Sequence, residues 1–129
     1  MKDTLILTPV SAMGEDVLIV LNDAPYGTEK TYNGLRLAIA LQARQDNVRL
    51  FLMADAVSAG IPNQETPPGY YNVGEMLGRV LAKGGKVAAC GSCMKARGLR
   101  EEGLIKGIEQ GSMALLCEWT EKCGKIHSF

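Results

Sequence analysis

Val17-Leu18-Ile19-Val20-Leu21 is an unbroken apolar run of strand length, and it stops at the turn formers Asn22-Asp23-Ala24-Pro25-Tyr26-Gly27. A strand without polar alternation has no face to give to water, so it predicts burial on both sides, as in a parallel sheet covered by helices. From Thr28, read as an N-cap, to about Ala43, apolar Leu35, Ala38, Ile39 and Leu41 recur with near-helical spacing while Arg36, Gln42 and Arg44 face water. Strand followed by helix is half of a βαβ unit, and the pattern continues. Val48 to Met53 reads as a second strand, and Asp55 to Gly69 as a long loop carrying Gly60, Pro62, Pro67 and Pro68. A loop of that length in a compact domain marks function or a subunit contact. Asn72-Val73-Gly74-Glu75 is an asparagine-capped variant of the capping box, opening a helix through Met76, Leu77, Val80 and Leu81 to the stop at Gly84-Gly85. Lys86 to Ala89 is the third strand. Beyond it, Leu99 to Gly103 predicts a helical turn, Ile105 to Gln110 a short strand, Ser112 the cap of a helix through Met113, Leu116 and Trp119, and Lys125 to Phe129 a last strand.

Strands alternating with helices across short links predict an α/β fold: three layers, α/β/α, around a mostly parallel sheet of about five strands. At 129 residues the chain fits a single domain. Residues 15–129 make up that domain, and 1–14 are an N-terminal extension, read as an extra edge strand or a docked arm. Fourteen basic and fourteen acidic side chains cancel, which leaves no electrostatic footprint for nucleic acid or an anionic membrane. The apolar run Leu5-Ile6-Leu7 is too short for a signal-peptide core, and no stretch approaches the roughly 18–20 apolar residues of a membrane span. A soluble, cytoplasmic protein is the expectation, and there four cysteines read as thiols, redox groups or metal ligands rather than a disulfide framework.

Cys90-Gly91-Ser92-Cys93, at the exit of the third strand, is the chemically loaded stretch, with Lys95, Arg97 and Arg100 just downstream. A thiol must ionise before it attacks or accepts sulfur, and nearby cations or a helix start lower its pKa. In open α/β sheets ligands bind beyond the carboxyl ends of the strands. Strand one ends at Asn22, Asp23 and Tyr26 and strand two at Asp55, so one topological rule brings these residues to the edge that holds Cys90 and Cys93. Each has a plainer reading as well. Asn22 and Asp23 can be turn caps, Tyr26 a packing residue against a neighbouring subunit, the cations a solvated helix face, and the cysteines small buried hydrophobes. Cys117 and Cys123 read as structural, and His127 as a core or edge histidine of the last strand. Cys117, Cys123 and His127 do not match two-plus-two zinc spacing, so no metal is expected. Neither a GxxxxGK loop nor a GxGxxG follows strand one, which argues against nucleotide chemistry. No cofactor is implied.

Taken in order, several segments resemble the DsrE/DsrF-like family, in particular its small stand-alone branch. They are Val17 to Leu21 with Asn22 to Gly27, Tyr32-Asn33-Gly34-Leu35-Arg36-Leu37-Ala38, Val48 to Met53 with Ala54-Asp55-Ala56-Val57, Pro68-Gly69-Tyr70-Tyr71-Asn72, Cys90 to Gly98, and Ser112-Met113 with Glu118-Trp119. The resemblance runs from about Val17 to Phe129. It implies a three-layer α/β/α domain assembled as a homotrimer or homohexamer. In the family's sulfur-relay members one cysteine carries a persulfide between donor and acceptor proteins, and Cys90 matches that position. The second thiol, Cys93, departs from those members.

Three function classes therefore stand side by side. In the first, Cys90 is a sulfur carrier whose anion is stabilised by Lys95, Arg97 and backbone N–H groups, with Asn22, Asp23 and Tyr26 shaping the pocket. In the second, Cys90 and Cys93 form a dithiol–disulfide redox pair or sensor. The third is a non-catalytic oligomeric module binding a small molecule between subunits. A carrier that turns over only within a relay is chemically active without a free substrate, so this chemistry does not by itself require an enzyme.

Overall fold

A computed structural model describes residues 14–129. Along the chain come β1 (Asp16–Leu21), α1 (Lys30–Ala43), β2 (Asn47–Leu52), a 3-10 segment (Ala54–Gly60), α2 (Val73–Ala82), β3 (Lys86–Cys90) and α3 (Gly91–Ala96). A 3-10 turn (Glu101–Gly103), β4 (Ile108–Gly111), α4 (Met113–Lys122) and β5 (Lys125–Ser128) complete it. The strands form one five-stranded sheet in the order β4-β3-β2-β1-β5, with every neighbouring pair parallel. Of the extension expected over 1–14, residues 1–13 lie outside the described residues.

Period-two alternation divides the apolar strand residues between two cores. Val17, Ile19, Leu21, Val48, Leu50, Leu52, Val87 and Ala89 meet Leu35 and Ala38 of α1, Val73, Leu77 and Val80 of α2, and Met94 of α3. On the opposite face Leu18, Phe51 and Ala88 pack against Trp119 of α4 and Cys123, its C-cap, and the Phe51 and Trp119 rings meet edge to face at 6.0 Å. Burying one such side chain stabilises by about 1.5–3 kcal/mol. The layers follow from handedness. β1 to β4 step across the sheet in one direction, so right-handed crossovers put α1, α2 and α3 on one face. The return from β4 to β5, beyond β1, runs the other way and puts α4 on the opposite face.

Local signals placed most boundaries. Asn72 caps α2, its side chain accepting from the Glu75 N–H at 3.0 Å, and Ser112 caps α4 by accepting from the Leu115 N–H at 3.1 Å. Thr28 does not cap α1. The helix starts at Lys30 with Glu29 as N-cap, one position later than expected, and the Thr28 hydroxyl accepts from the Lys30 N–H at 3.3 Å while donating to Asp23 Oδ2 at 2.8 Å. The expected loop from Asp55 is also shorter than its composition suggests. Ala54–Gly60 winds into a 3-10 helix with Ala56, Val57, Ala59 and Gly60 buried. Small side chains allow that tight packing: a Cβ on Gly60 would lie 3.1 Å from Ile108 and 3.4 Å from Leu104.

Gly111 shows how closely the second face is filled, since a Cβ there would stand 2.8 Å from the Phe51 ring and 3.3 Å from Ala88 Cβ. Gly111→Ala is expected to lower stability by about 1–3 kcal/mol through displacement of that ring. Urea unfolding would show a lower midpoint at unchanged slope; an unchanged midpoint would contradict this packing.

Candidate active site

β3 and β4 are neighbours whose outgoing connections leave to opposite faces, α3 to one and α4 to the other. Such a divergence opens a crevice at the carboxyl ends of the strands. Cys90, the last residue of β3, pairs in register with Gly111, the last of β4. Glycine also follows Cys90 directly, and a Cβ on Gly91 would approach the Gln110 side chain to 2.9 Å. Glycine at both positions makes room for neighbours, the Gln110 side chain beside Gly91 and the Phe51 ring beside Gly111.

At Cys90 the backbone turns from strand into α3, and the residue is itself the N-cap. Its Sγ accepts from the Cys93 N–H at 3.4 Å and lies 3.4 Å from Ser92 Oγ. Burial pushes the Cys90 thiol up, but hydrogen bonds from the Cys93 and Ser92 side chains and backbone outweigh it and hold the pKa below that of an ordinary cysteine. Cys93 goes the other way. Burial raises it and so does the proton it shares with Cys90, while the Ala54 N–H and the charge of Arg97 offset only part of that rise. The pair is therefore polarised, with Cys90 the thiol that ionises more readily and Cys93 the one that holds its proton longer.

Ala54, two residues beyond β2 and the first of the 3-10 segment, supports Cys93 from behind. It sits at φ +50°, a left-handed conformation that costs a non-glycine residue about 1–2 kcal/mol, and from there its N–H donates to Cys93 Sγ at 3.3 Å. Arg97 ties the two loops together: Nε and Nη2 donate to Asp55 Oδ1 at 3.0 and 2.7 Å, and Nη1 to the Cys93 carbonyl at 3.0 Å.

The fold thus brings Cys90, Cys93, Asp55 and Arg97 together. The Arg97 guanidinium is spent on Asp55 and the Cys93 backbone rather than on Cys90. Lys95 and Arg100 line an adjoining cleft of about 520 Å³ with Gln110 and Glu101. The strand-one residues serve other contacts. Asn22 Nδ2 donates to Ser128 Oγ and the Phe129 carbonyl, fastening β5 to β1. Asp23 accepts from the Thr28 and Thr31 hydroxyls, through its carboxylate and its carbonyl respectively. Tyr26 donates to Gln64 Oε1 at 2.6 Å and accepts from the Val73 N–H, pinning the proline-bearing loop to the start of α2. Ser92 was missed by sequence reasoning, although its place between two cysteines at a strand exit is the signal that finds it. Cys123 is buried, with Arg49 Nη1 3.7 Å from its sulfur, whereas Cys117, read as structural, is exposed on α4. His127 is an exposed edge residue. Among the described residues no group of three or more His, Cys, Asp and Glu is arranged to hold a metal, and no helix is long and apolar enough to cross a membrane.

Comparison with known proteins decides the relationship. The model of the DsrE/DsrF-like family matches residues 15–129. The chain belongs to the DsrE/DsrF-like family. It is 42% identical over 117 residues to Protein YchN of Escherichia coli, covering 89% of this chain and 99% of that one. The crystal structure of that protein superposes with a TM-score of 0.84 at 41% identity, over 89% of this chain and 99% of the other. An uncharacterised protein of Methanopyrus kandleri is 38% identical over 117 residues, 90% of this chain and 96% of the other. A protein named TusC homolog in Aliivibrio fischeri is 26% identical over 119 residues, 85% and 95% of the two chains. In this DsrE/DsrF-like domain the three-layer fold and the parallel sheet stand as the sequence predicted.

The division of labour around the thiols has a measurable consequence. Iodoacetamide reacts with thiolate, so the Cys90 alkylation rate rises with pH through its own pKa, at lower pH than for a free cysteine. Ser92→Ala is expected to move that profile to higher pH by removing a donor, and Arg97→Gln to leave it in place. A profile that follows Arg97 and ignores Ser92 would show that charge, not hydrogen bonding, tunes the thiol.

Proposed function

We propose that this protein is a sulfur carrier in which Cys90 holds a persulfide between a donor and an acceptor protein. The observation that carries the reading is the polarised thiol pair at the β3–β4 crevice: a pKa-lowered Cys90 accepting hydrogen bonds, beside a Cys93 that keeps its proton. Membership of the DsrE/DsrF-like family, which includes sulfur-relay proteins, supports it. Cys90 thiolate attacks the outer sulfur of a donor persulfide, R–S–SH. The donor's S–S bond breaks as the new one forms, leaving Cys90–S–SH and the anion RS⁻, which takes a proton from water. No electrons are lost or gained overall. Transfer to the acceptor thiolate is the same step in reverse.

Cys93 is the hazard in this chemistry, since its thiolate would attack the inner sulfur of Cys90–S–SH, close a disulfide and expel the cargo as hydrosulfide. Its raised pKa keeps it protonated and slows that reaction. The two thiols at Cys-x-x-Cys spacing, with the Cys93 N–H bonded to Cys90 Sγ, also favour a second reading, a dithiol–disulfide couple in which that closure is the function. Asp55 and Arg97 act in either case as positioning residues for the loop behind Cys93. Lys95 faces an incoming partner from the adjoining cleft, and Asn22, Asp23 and Tyr26 hold the strand-one loop at the same end of the sheet. Assembly as a trimer or hexamer belongs to the same proposal. It is supported by a second sheet face that one helix covers, next to exposed Met113 and Ile126. The cytoplasm, where thiols stay reduced, is the compartment this chemistry requires.

Native mass spectrometry after incubation with a persulfide donor reads assembly and cargo together. The expected result is a trimer or hexamer gaining one sulfur atom per subunit, an adduct lost in Cys90→Ser and kept in Cys93→Ser. Loss of two hydrogens that requires both cysteines, with no sulfur gained, would replace the carrier with the disulfide couple.

A further inference from the structure

α1 and α2 each cross back from one parallel strand to the next, so they lie side by side and run the same way on one face of the sheet. Gln42 of α1 fixes them together, donating from Nε2 to the Val80 carbonyl of α2 at 3.0 Å. Between them two cavities of about 470 and 480 Å³ share Ile39 and Arg79 and so form one groove. Glu75 lines one end and Lys83 the other; eight residues of helix at about 1.5 Å each separate them by roughly 12 Å. The floor is aliphatic, with Ile39, Ala40 and Ala43 from α1 and Met76 and Ala82 from α2. Its three alanines end at Cβ, which lets a third helix approach closely.

The rim is basic. Arg36, Arg79 and Lys83 stand along it against Glu75 alone, in a chain whose charges cancel overall. Among the described residues none of these three cations has an ion-pair partner. Arg36 is already oriented, since Nη1 donates to Asn33 Oδ1 at 3.2 Å and the guanidinium lies 5.5 Å over the Tyr32 ring, yet most of its donors are free. We propose that this groove docks an amphipathic helix of a partner protein, two to three turns long, with small or aliphatic residues along its seam and acidic residues on its flanks. An aliphatic floor between basic rims suits that occupant better than a nucleic acid strand, whose bases need aromatic surfaces to stack on. Direction follows from the dipoles. The C-terminal ends of α1 and α2 meet at the Lys83 end, and a helix laid antiparallel to them brings its first turn there, where its own N-terminus favours acidic residues. No residue of the groove takes part in the thiol chemistry, so the docking stands apart from it.

The probe is an acetylated peptide of about 15 residues, long enough to hold a helix. It carries Leu and Ala at helical spacing on one face, Asp and Glu in its first turn and Glu on both flanks; a counterpart carries Lys at every acidic position. Titrated at low salt into the full chain labelled with nitrogen-15, the acidic peptide is expected to shift the amide signals of α1 and α2. It is expected to bind at least tenfold more tightly than the basic one, and less tightly as salt is added. Arg79→Glu combined with Lys83→Glu is expected to reverse the preference, Ala40→Gln to weaken both peptides, and Cys90→Ser to change neither. The substituted groove residues are exposed, so the variants are expected to fold, and melting curves serve as the control. Absence of binding by the acidic peptide, shifts confined to other elements, a preference that charge reversal does not move, or displacement of the peptide by an oligo-dT strand of similar length would overturn the proposal.

Discussion

Right-handed crossover sets where the chemistry lies, because β1 to β4 advance across the sheet one way and β5 lies beyond β1 at the opposite edge. An all-parallel sheet must be covered on both faces, and this chain does so with three helices on one side and one on the other. The change of side falls between β3 and β4, so the crevice opens at Cys90 and Gly111. Everything else at the site is arranged around that position. The Gln110 side chain fills the space beside Gly91, and the Phe51 ring takes the volume that a larger residue at 111 would claim.

Local hydrogen bonds, rather than the downstream cations, distinguish the two thiols. Arg97 is the nearest of those cations with a fixed geometry, yet its donors go to Asp55 and to the carbonyl of Cys93. Such a pair, about one-third and two-thirds exposed at its two side chains, adds little stability by itself. Its effect is positional. It holds the end of β2 where Ala54, in a strained left-handed conformation, can donate to Cys93. The strain sits at the site and is offset by the buried 3-10 segment that follows it.

What could be read from the sequence was what neighbours in sequence decide. The apolar runs of β1, β2 and β3 and the caps Asn72 and Ser112 depend on residues within one or two turns, and they appear where expected. Thr28 was misjudged by one position: its hydroxyl accepts from the Lys30 N–H, but the backbone enters the helix after Glu29, a shift that spacing does not resolve. The partner of Arg97 stands forty-two positions away, beyond the reach of periodicity or spacing. The stacking of Tyr32 on Tyr71, with ring centroids 4.0 Å apart, is of the same kind, since the two belong to segments that meet only after α1 and α2 pack. Tyr26 was singled out for standing at a strand end, and it does stand there. Its hydroxyl is occupied by Gln64 and Val73, partners that only the folded loop supplies.

The central claim is that Cys90 ionises ahead of Cys93. Site-resolved titration by NMR, with the cysteine Cβ carbons labelled with carbon-13 and assigned through Cys90→Ser and Cys93→Ser, measures that order directly. The account predicts that Cys90 ionises first, below the pH of an ordinary cysteine, and that Cys93 follows above it. Ionisation of Cys93 before Cys90, or of both together at the ordinary value, would contradict it.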